Sequence, residues 1–117
     1  MNISPGTIVL VDSDPGRGRE RDRLVPCIAI SDSEVNADQG FPLIAVVPLS
    51  GSTGEGALYP QVSPGKSGLL RSVYALVDRL RSVDKRRIRR VLGRVSSDDL
   101  TLVYDGIDLF LGMSRDA

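Results

Sequence analysis

The feature that most constrains the fold is a series of short apolar runs, rich in β-branched residues, along the first eighty residues of this 117-residue chain. Each run is bounded by Gly, Pro, Asp or Ser, which is the pattern of β-strands separated by turns. Polar stretches between some of the runs have the composition of one-turn helices. The predicted strands are Thr7 to Asp12, Leu24 to Ser31, Phe41 to Leu49, Ala57 to Val62, Ser72 to Leu80 and Ile88 to Val95, and the predicted helical turns lie in Ser33 to Gly40 and at Lys85-Arg86-Arg87.

One helix is predicted at the end of the chain. Ser96 and Ser97 offer a hydroxyl cap, and Asp98 and Asp99 place acids in the first turn, where they suit the helix dipole. An apolar stripe at helical spacing follows, and Gly112 ends it. The stripe is expected to dock the helix onto the barrel or onto a partner subunit, and it consists of Leu100, Val103, Ile107, Phe110 and Leu111. Many short strands before a lone helix predict one α+β, mostly β domain over residues 1–117, built as a small, strongly bent barrel with short helices and a C-terminal helix.

The residue content excludes several functions. The chain has no histidine, which removes imidazole catalysis, His-containing metal sites and Ser-His-Asp triads. No P-loop or dinucleotide fingerprint is present. The single cysteine, Cys27, lies in an apolar run and cannot form an intrachain disulfide, which favours a reducing compartment. With no membrane span and no signal peptide pattern, a soluble cytoplasmic protein is expected.

The charges are unevenly distributed although the net charge is zero. Eight basic residues stand against one acid between Arg79 and Arg94. Four arginines also occupy every second position of the loop between the first two predicted strands, at Arg17, Arg19, Arg21 and Arg23. Such a loop can bind a phosphate backbone. The alternative is a solvated loop whose charges are balanced locally by Glu20 and Asp22.

Several blocks in order resemble the MazF/PemK family. Near the N-terminus these are Gly6-Thr7-Ile8-Val9-Leu10-Val11-Asp12, then Asp14-Pro15 with Gly18 and Glu20, then Pro26 opening a strand that leads to Ser31-Asp32. Later blocks are Val46-Val47-Pro48-Leu49-Ser50, Ser67-Gly68-Leu69, Tyr74-Ala75-Leu76-Val77-Asp78, Leu80 to Arg87 and Gly93-Arg94-Val95. The resemblance covers essentially the whole chain with family-like spacing.

This resemblance implies the toxin of a type II toxin–antitoxin pair. It implies an SH3-like β-barrel assembled as a homodimer, which cuts single-stranded RNA without a metal or other cofactor. In the family a 2′-hydroxyl attacks the adjacent phosphate and leaves a 2′,3′-cyclic phosphate and a 5′-hydroxyl. The implied partner is an antitoxin whose disordered acidic tail lies in the RNA groove.

The resemblance also implies site residues, with one departure from the family pattern. Ser50 stands where the family usually has a catalytic threonine, and its hydroxyl can make the same hydrogen bond to phosphate. Val25 stands where the family usually has an arginine that contacts the scissile phosphate. Arg23 lies two residues earlier, and an extended strand would project it on the same face as position 25. Arg23 and Ser50 are therefore the predicted catalytic residues.

The remaining predicted site residues bind RNA. By resemblance, Arg17, Arg19, Glu20 and Arg21 belong to a loop that closes over bound RNA, and Asp78 and Arg79 line the RNA groove. Arg81, Asp84, Arg86 and Arg87 resemble a segment on the dimer side, where charge pairs are structural.

Three functions are compatible with the sequence. The first is the endoribonuclease toxin. The second is a weakened or inactive MazF-like module that dimerises and binds antitoxin or RNA without cutting, because Val25 replaces the arginine before Pro26. The third is a DNA-binding barrel.

Overall fold

A computed structural model describes residues 2–113 of the chain. Within these residues the strands are β1 (Thr7–Asp12), β2 (Leu24–Ala29), β3 (Leu43–Ser50), β4 (Gln61–Val62), β5 (Val73–Ala75), β6 (Arg81–Asp84) and β7 (Ile88–Arg94). The α-helices are α1 (Ser33–Ala37) and α2 (Ser97–Leu111), and short 3-10 helices cover Glu20–Asp22, Val77–Arg79 and Lys85–Arg87. No helix in this range is long and apolar enough to span a membrane.

The strands form an antiparallel sheet in the order β4-β5-β3-β2-β1-β7. β3 is the pivot, because one of its edges pairs with β2 while the other pairs with β6 along its first half and with β5 at its end. The register on that shared edge includes Ile44 opposite Val83 and Leu49 opposite Ala75. The sheet therefore curls into a half-barrel, which confirms the predicted mostly β, α+β class.

Both faces of the curled sheet are buried along β1 and the adjoining parts of β2 and β3. Along β1 and β2, alternate side chains point to opposite faces, as strand geometry requires. Ile8 and Ile28 belong to the cluster that α2 covers with Val103 and Ile107. On the other face, a second cluster is closed by the curl of the sheet itself, and it contains Val9, Val11, Cys27, Ala29, Ile44, Val46, Val83 and Ile88. The short apolar runs are thus buried on both sides.

Helix α2 begins and ends as predicted but packs along fewer residues. The Ser96 hydroxyl accepts a hydrogen bond from the Asp99 amide at 3.1 Å, and Gly112 ends the helix in the left-handed conformation with φ 66°. Val103 and Ile107 are buried as predicted. Phe110 and Leu111 remain 46% and 49% exposed, so the barrel does not cover them, and their docking onto a partner subunit stays a prediction.

The predicted strand from Ser72 to Leu80 is wrong beyond Ala75. The chain leaves β5 there, forms a 3-10 helix at Val77–Arg79, and starts β6 at Arg81, a strand that was not predicted separately. Ala75, Leu76 and Val77 are all buried, which a single strand with one solvated face does not allow. The break lets successive segments pair with the two halves of one edge of β3.

The other differences are smaller. The predicted strand Ala57 to Val62 is regular only at Gln61–Val62, because Gly56 and Tyr59 form a tight bridge before it. β2 ends at Ala29 and β7 at Arg94, two residues and one residue earlier than predicted. The helical turns at Ser33–Ala37 and Lys85–Arg87 are confirmed.

Candidate functional site

A cavity of about 370 Å³ opens at the end of β3. Apolar side chains form most of its wall, and its polar groups come from two serines and two arginines. We call it the Ser50 cavity. Its lining residues are Val11, Ser13, Val25, Cys27, Pro48, Leu49, Ser50, Leu76, Arg79 and Arg81.

Strand register places Val25 and Ser50 together in this cavity. Cys27 is opposite Pro48 at the end of the β2–β3 pairing, and Val25 and Ser50, each two residues beyond this pair, both line the cavity. On the other side of β2, Val25 is opposite Val11 of β1. Directly opposed residues of antiparallel strands project to the same face of the sheet. Position 25 and the end of β3 therefore lie in one cavity, and the side chain at position 25 is apolar.

Ser50 is the last residue of β3, and its hydroxyl is within reach of a ligand. Its Oγ accepts a hydrogen bond from the Ser52 amide at 3.2 Å and lies 3.2 Å from the Ser52 hydroxyl. The residue is half-buried at the rim. A hydroxyl can accept and donate at once, so Ser50 can donate to a phosphate oxygen while the amide of Ser52 fixes its position.

Two arginines supply the positive charge of the cavity. Arg79 ends the 3-10 helix and Arg81 begins β6, so the break after β5 brings both to one wall. Arg79 was predicted to line the groove, whereas Arg81 was assigned to the dimer side. The signal that could have placed Arg81 in the cavity was its spacing of two residues from Arg79.

Cys27 contributes an apolar wall to the cavity. Its side chain is buried, and burial raises the pKa of the thiol to about 12, against a smaller opposing effect of the Arg81 charge. The nucleophilic form of cysteine is the thiolate. Cys27 is therefore a neutral thiol at physiological pH.

Arg23 does not line the cavity. Its backbone is helical, with φ −106° and ψ −7°, so the prediction that it projects on the same face as Val25 is wrong. The guanidinium instead meets the carboxylate of Asp12, with Nε to Oδ1 and Nη2 to Oδ2 both at 2.8 Å. Nη1 donates to the carbonyl oxygens of Arg17 and Gly18, at 2.6 and 2.7 Å. A direct catalytic role for Arg23 remains a prediction, and it would require these bonds to break.

The other predicted loop residues lie outside the cavity lining. Arg17, Arg19 and Arg21 are exposed, and the guanidinium of Arg17 makes a long contact of 3.6 Å with the Asp14 carboxylate. Glu20 is engaged by Arg89, with Nε to Oε1 at 3.0 Å. The three arginines are thus available to a polyanion, while Glu20 holds the loop to β7.

Asp78 is beside the cavity but has its own partner. The Tyr59 hydroxyl donates to its Oδ2 at 2.6 Å, and this bond raises the pKa of Tyr59. Of the eight predicted site residues, the structure therefore brings Ser50 and Arg79 together in one cavity. Among residues 2–113, no group of three or more His, Cys, Asp or Glu side chains is arranged to hold a metal ion.

A family model, similar protein sequences and similar solved structures all relate this chain to the same group of proteins. The family model described as "PemK-like, MazF-like toxin of type II toxin-antitoxin system" matches residues 4–111. Endoribonuclease MazF9 of Mycobacterium tuberculosis is 31% identical over 114 residues, which cover 92% of this chain and 95% of that protein. Endoribonuclease MazF of Staphylococcus saprophyticus is 24% identical over 110 residues, with 92% and 90% covered.

Solved structures share the fold. A mycobacterial endoribonuclease in complex with its cognate antitoxin superposes with a TM-score of 0.76 at 17% identity, covering 97% of this chain and 98% of the other. The MazE–MazF complex of Deinococcus radiodurans also gives 0.76, at 23% identity and with 97% and 99% covered. With the family match spanning nearly the whole chain, these findings identify the chain as a member of the PemK-like, MazF-like toxin family of type II toxin–antitoxin systems.

Proposed function

We propose that this protein is an endoribonuclease toxin that cleaves single-stranded RNA at the Ser50 cavity. The observation that carries the proposal is the convergence of the Ser50 hydroxyl with Arg79 and Arg81 at the position where the family's active site is expected. Relatives that bear the name endoribonuclease match over nearly their full length. The chemistry of the cavity suits a phosphodiester, because it offers a hydroxyl donor and two positively charged guanidinium groups.

The reaction proposed is a transesterification within the RNA. The 2′-hydroxyl loses its proton to water as its oxygen forms a bond to phosphorus, the bond from phosphorus to the 5′ oxygen breaks, and the 5′ oxygen takes up a proton from water and leaves as a hydroxyl. Negative charge accumulates on the non-bridging oxygens during the attack. Ser50 would donate a hydrogen bond to one of these oxygens, and the guanidinium groups of Arg79 and Arg81 would stabilise the charge. The apolar walls of the cavity strengthen this effect by excluding water.

Val25 favours a second candidate, a member that binds RNA or antitoxin with little or no cleavage. A half-buried valine cannot replace the donor fork of an arginine at that position. Loss of such a donor is expected to cost about a hundredfold or more in rate. The two candidates differ in whether Arg79 and Arg81 supply enough stabilisation without an arginine at position 25.

The proposed partners follow from family membership. We propose single-stranded RNA as the substrate, an antitoxin as the inhibitor and a second copy of the chain as the other half of a homodimer, in the cytoplasm where RNA is available. Two of the structural neighbours are complexes with an antitoxin. The antitoxin's acidic tail and the RNA backbone are both negatively charged. Both could therefore bind the exposed arginines of the loop and the arginines of the cavity.

Three nucleic acids of the same sequence test the proposal. Purified protein is incubated with single-stranded RNA, duplex RNA and duplex DNA in the presence of a chelator. Cleavage confined to single-stranded RNA is the expected result. Tight binding of single-stranded RNA without cleavage would establish the second candidate, and strong binding of duplex DNA without any RNA cleavage would support a DNA-binding barrel.

A further inference from the structure

A buried carboxylate at the end of β1 organises the loop that follows it. Asp12 has no exposed surface, and both of its oxygens are occupied. Arg23 contacts both of them at 2.8 Å, and Arg89 contacts Oδ2 at 3.2 Å. The Asp14 amide also donates to Oδ1 at 3.2 Å. The hydrogen bond from Arg23 is the largest of the effects that hold the pKa of Asp12 far below its usual range, so the carboxylate is ionised at neutral pH.

The same guanidinium that meets Asp12 also holds the middle of the loop, residues 13–23, which we call the arginine loop. Nη1 of Arg23 donates to the carbonyl oxygens of Arg17 and Gly18. At the base of the loop, the Ser13 amide and hydroxyl both donate to the carbonyl oxygen of Arg23, at 3.0 and 2.8 Å. One side chain therefore ties the barrel wall to the loop's backbone at two further points.

Arg87, which directly precedes β7, and Arg89 within β7 reinforce this arrangement. Arg89 joins Asp12 to Glu20, so the 3-10 helix of the loop is fixed to the strand. Arg87 donates to the carbonyl oxygens of Asp12 and Ser13, at 3.0 and 2.5 Å. These contacts from Arg87 and Arg89 hold the loop against the barrel, while the side chains of Arg17, Arg19 and Arg21 stay exposed.

We propose that Asp12 and Arg23 form a latch that holds the arginine loop closed at the edge of the Ser50 cavity, which makes both of them positioning residues. Ser13, the first residue of the loop, and Val25, two residues after its end, both line the cavity, so the latch fixes where the loop leaves and rejoins the site. In this arrangement Arg23 acts through the loop and does not touch the scissile phosphate. The inference rests on the proposed function for its consequence in RNA cleavage.

Opening the latch should weaken RNA binding without slowing the chemical step. Mobile arginines lose the fixed geometry in which their phosphate contacts are made, and ordering the loop again on binding costs conformational entropy. In Asp12→Asn and in Arg23→Gln, KM for single-stranded RNA is expected to rise by about tenfold, the factor for 1.4 kcal/mol of binding free energy, with kcat little changed. Because both residues serve one contact, the double variant should be no worse than the more affected single variant.

Limited trypsin digestion gives a readout that is independent of cleavage. The bond after Arg17 is held by the latch through the carbonyl oxygen of Arg17. Faster cutting after Arg17 is expected in both latch variants. The control is Asp84→Asn, which breaks a more exposed aspartate–arginine pair, Asp84 with Arg86 at 2.9 Å, outside the arginine loop. It should leave the cutting rate after Arg17 and KM unchanged.

The outcomes separate the latch from its alternatives. A merely destabilised protein loses active molecules, which lowers apparent kcat and leaves KM unchanged; this result would overturn the latch. A large fall in kcat in Arg23→Gln, with no change in KM in Asp12→Asn, would show that Arg23 is catalytic and would also overturn it.

The latch can still be tested if one variant does not fold or if the wild type does not cleave RNA. If Asp12→Asn fails to fold, Arg23→Gln still tests the latch, because Arg89 and the Asp14 amide remain as partners of the buried carboxylate. If the wild type does not cleave RNA, the proposed function fails. The latch is then judged by trypsin alone, and an unchanged cutting rate after Arg17 would contradict it.

Discussion

The substitution Arg81→Ala tests whether the Ser50 cavity binds RNA phosphate. Arg81 begins β6, its side chain is exposed, and it lines the cavity beside Arg79. Within residues 2–113, no carboxylate is paired with it by an ion pair. Its removal should therefore leave the folded state stable to within about 0.5 kcal/mol, as is usual for surface substitutions away from structural contacts.

The expected loss in RNA binding follows from one charged contact. A hydrogen bond to a charged group contributes about 1.5–3 kcal/mol, which corresponds to roughly a 10- to 150-fold weaker binding constant. Loss of one phosphate contact on a single strand should also reduce the slope of log K against log salt by about 0.7. The two measurements together distinguish a phosphate contact from a general loss of positive potential.

The assay is fluorescence anisotropy with a labelled single-stranded RNA at several salt concentrations, in a Ser50→Ala background so that the RNA stays intact. Arg90→Ala is the matched control, because it removes the same charge from an exposed position on β7 outside the cavity. The control should weaken binding by less than Arg81→Ala does. Equal effects of the two substitutions, or no effect of Arg81→Ala, would refute phosphate binding by Arg81 in the cavity.

Three further predictions concern position 25, a close backbone contact and acid stability. Val25→Arg adds a donor fork to the cavity that contains Ser50 and should raise kcat on single-stranded RNA about a hundredfold; an unchanged kcat would mean that Arg79 and Arg81 already supply the charge. Gly93→Ala places a Cβ 2.3 Å from the Lys66 carbonyl oxygen and should cost about 1–3 kcal/mol in urea unfolding. In contrast, a Cβ at position 51 meets nothing within 4 Å, so Gly51→Ala should leave the free energy of unfolding nearly unchanged. Equal losses of stability in the two variants would contradict the close approach of Gly93 to Lys66. Hydrogen bonds from Arg86 lower the pKa of Asp84 to about 2, so its ionised form stabilises the fold above an unfolded-state pKa of about 4. This contribution should be lost as pH falls from about 4 towards 2, and Asp84→Asn should decline less steeply than wild type in acid unfolding; identical curves would contradict the pairing.

The sequence predicts most of the fold because its strand signals are local. Runs such as Thr7 to Asp12 are bounded by turn residues, and the Ser96 cap marks the start of α2. The segment from Ser72 to Leu80 could not be divided from sequence, because its apolar residues suit one strand. Its division depends on β3, whose two halves pair with β5 and β6 across a long sequence separation.

The site was predictable where resemblance fixed a position and less so where side-chain direction decides. Ser50 and Arg79 meet in the cavity as the resemblance implied. Arg23 was placed on the face of Val25 by assuming an extended backbone. A helical turn and a buried carboxylate eleven residues away redirect it, and the carboxylate partner is invisible to strand periodicity. Arg81 was assigned to the dimer side because the break between β5 and β6, which brings it to the cavity, was not predicted.

The most direct test of the account is the chemistry of the RNA ends. Wild-type protein and Ser50→Ala are incubated with single-stranded RNA in chelator, and the products are analysed for their termini. The account predicts 2′,3′-cyclic phosphate and 5′-hydroxyl ends in the wild type and a rate lowered by about a hundredfold or more in Ser50→Ala. Absence of cleavage products at any wild-type concentration, or equal cleavage by Ser50→Ala, would contradict a ribonuclease site at this cavity.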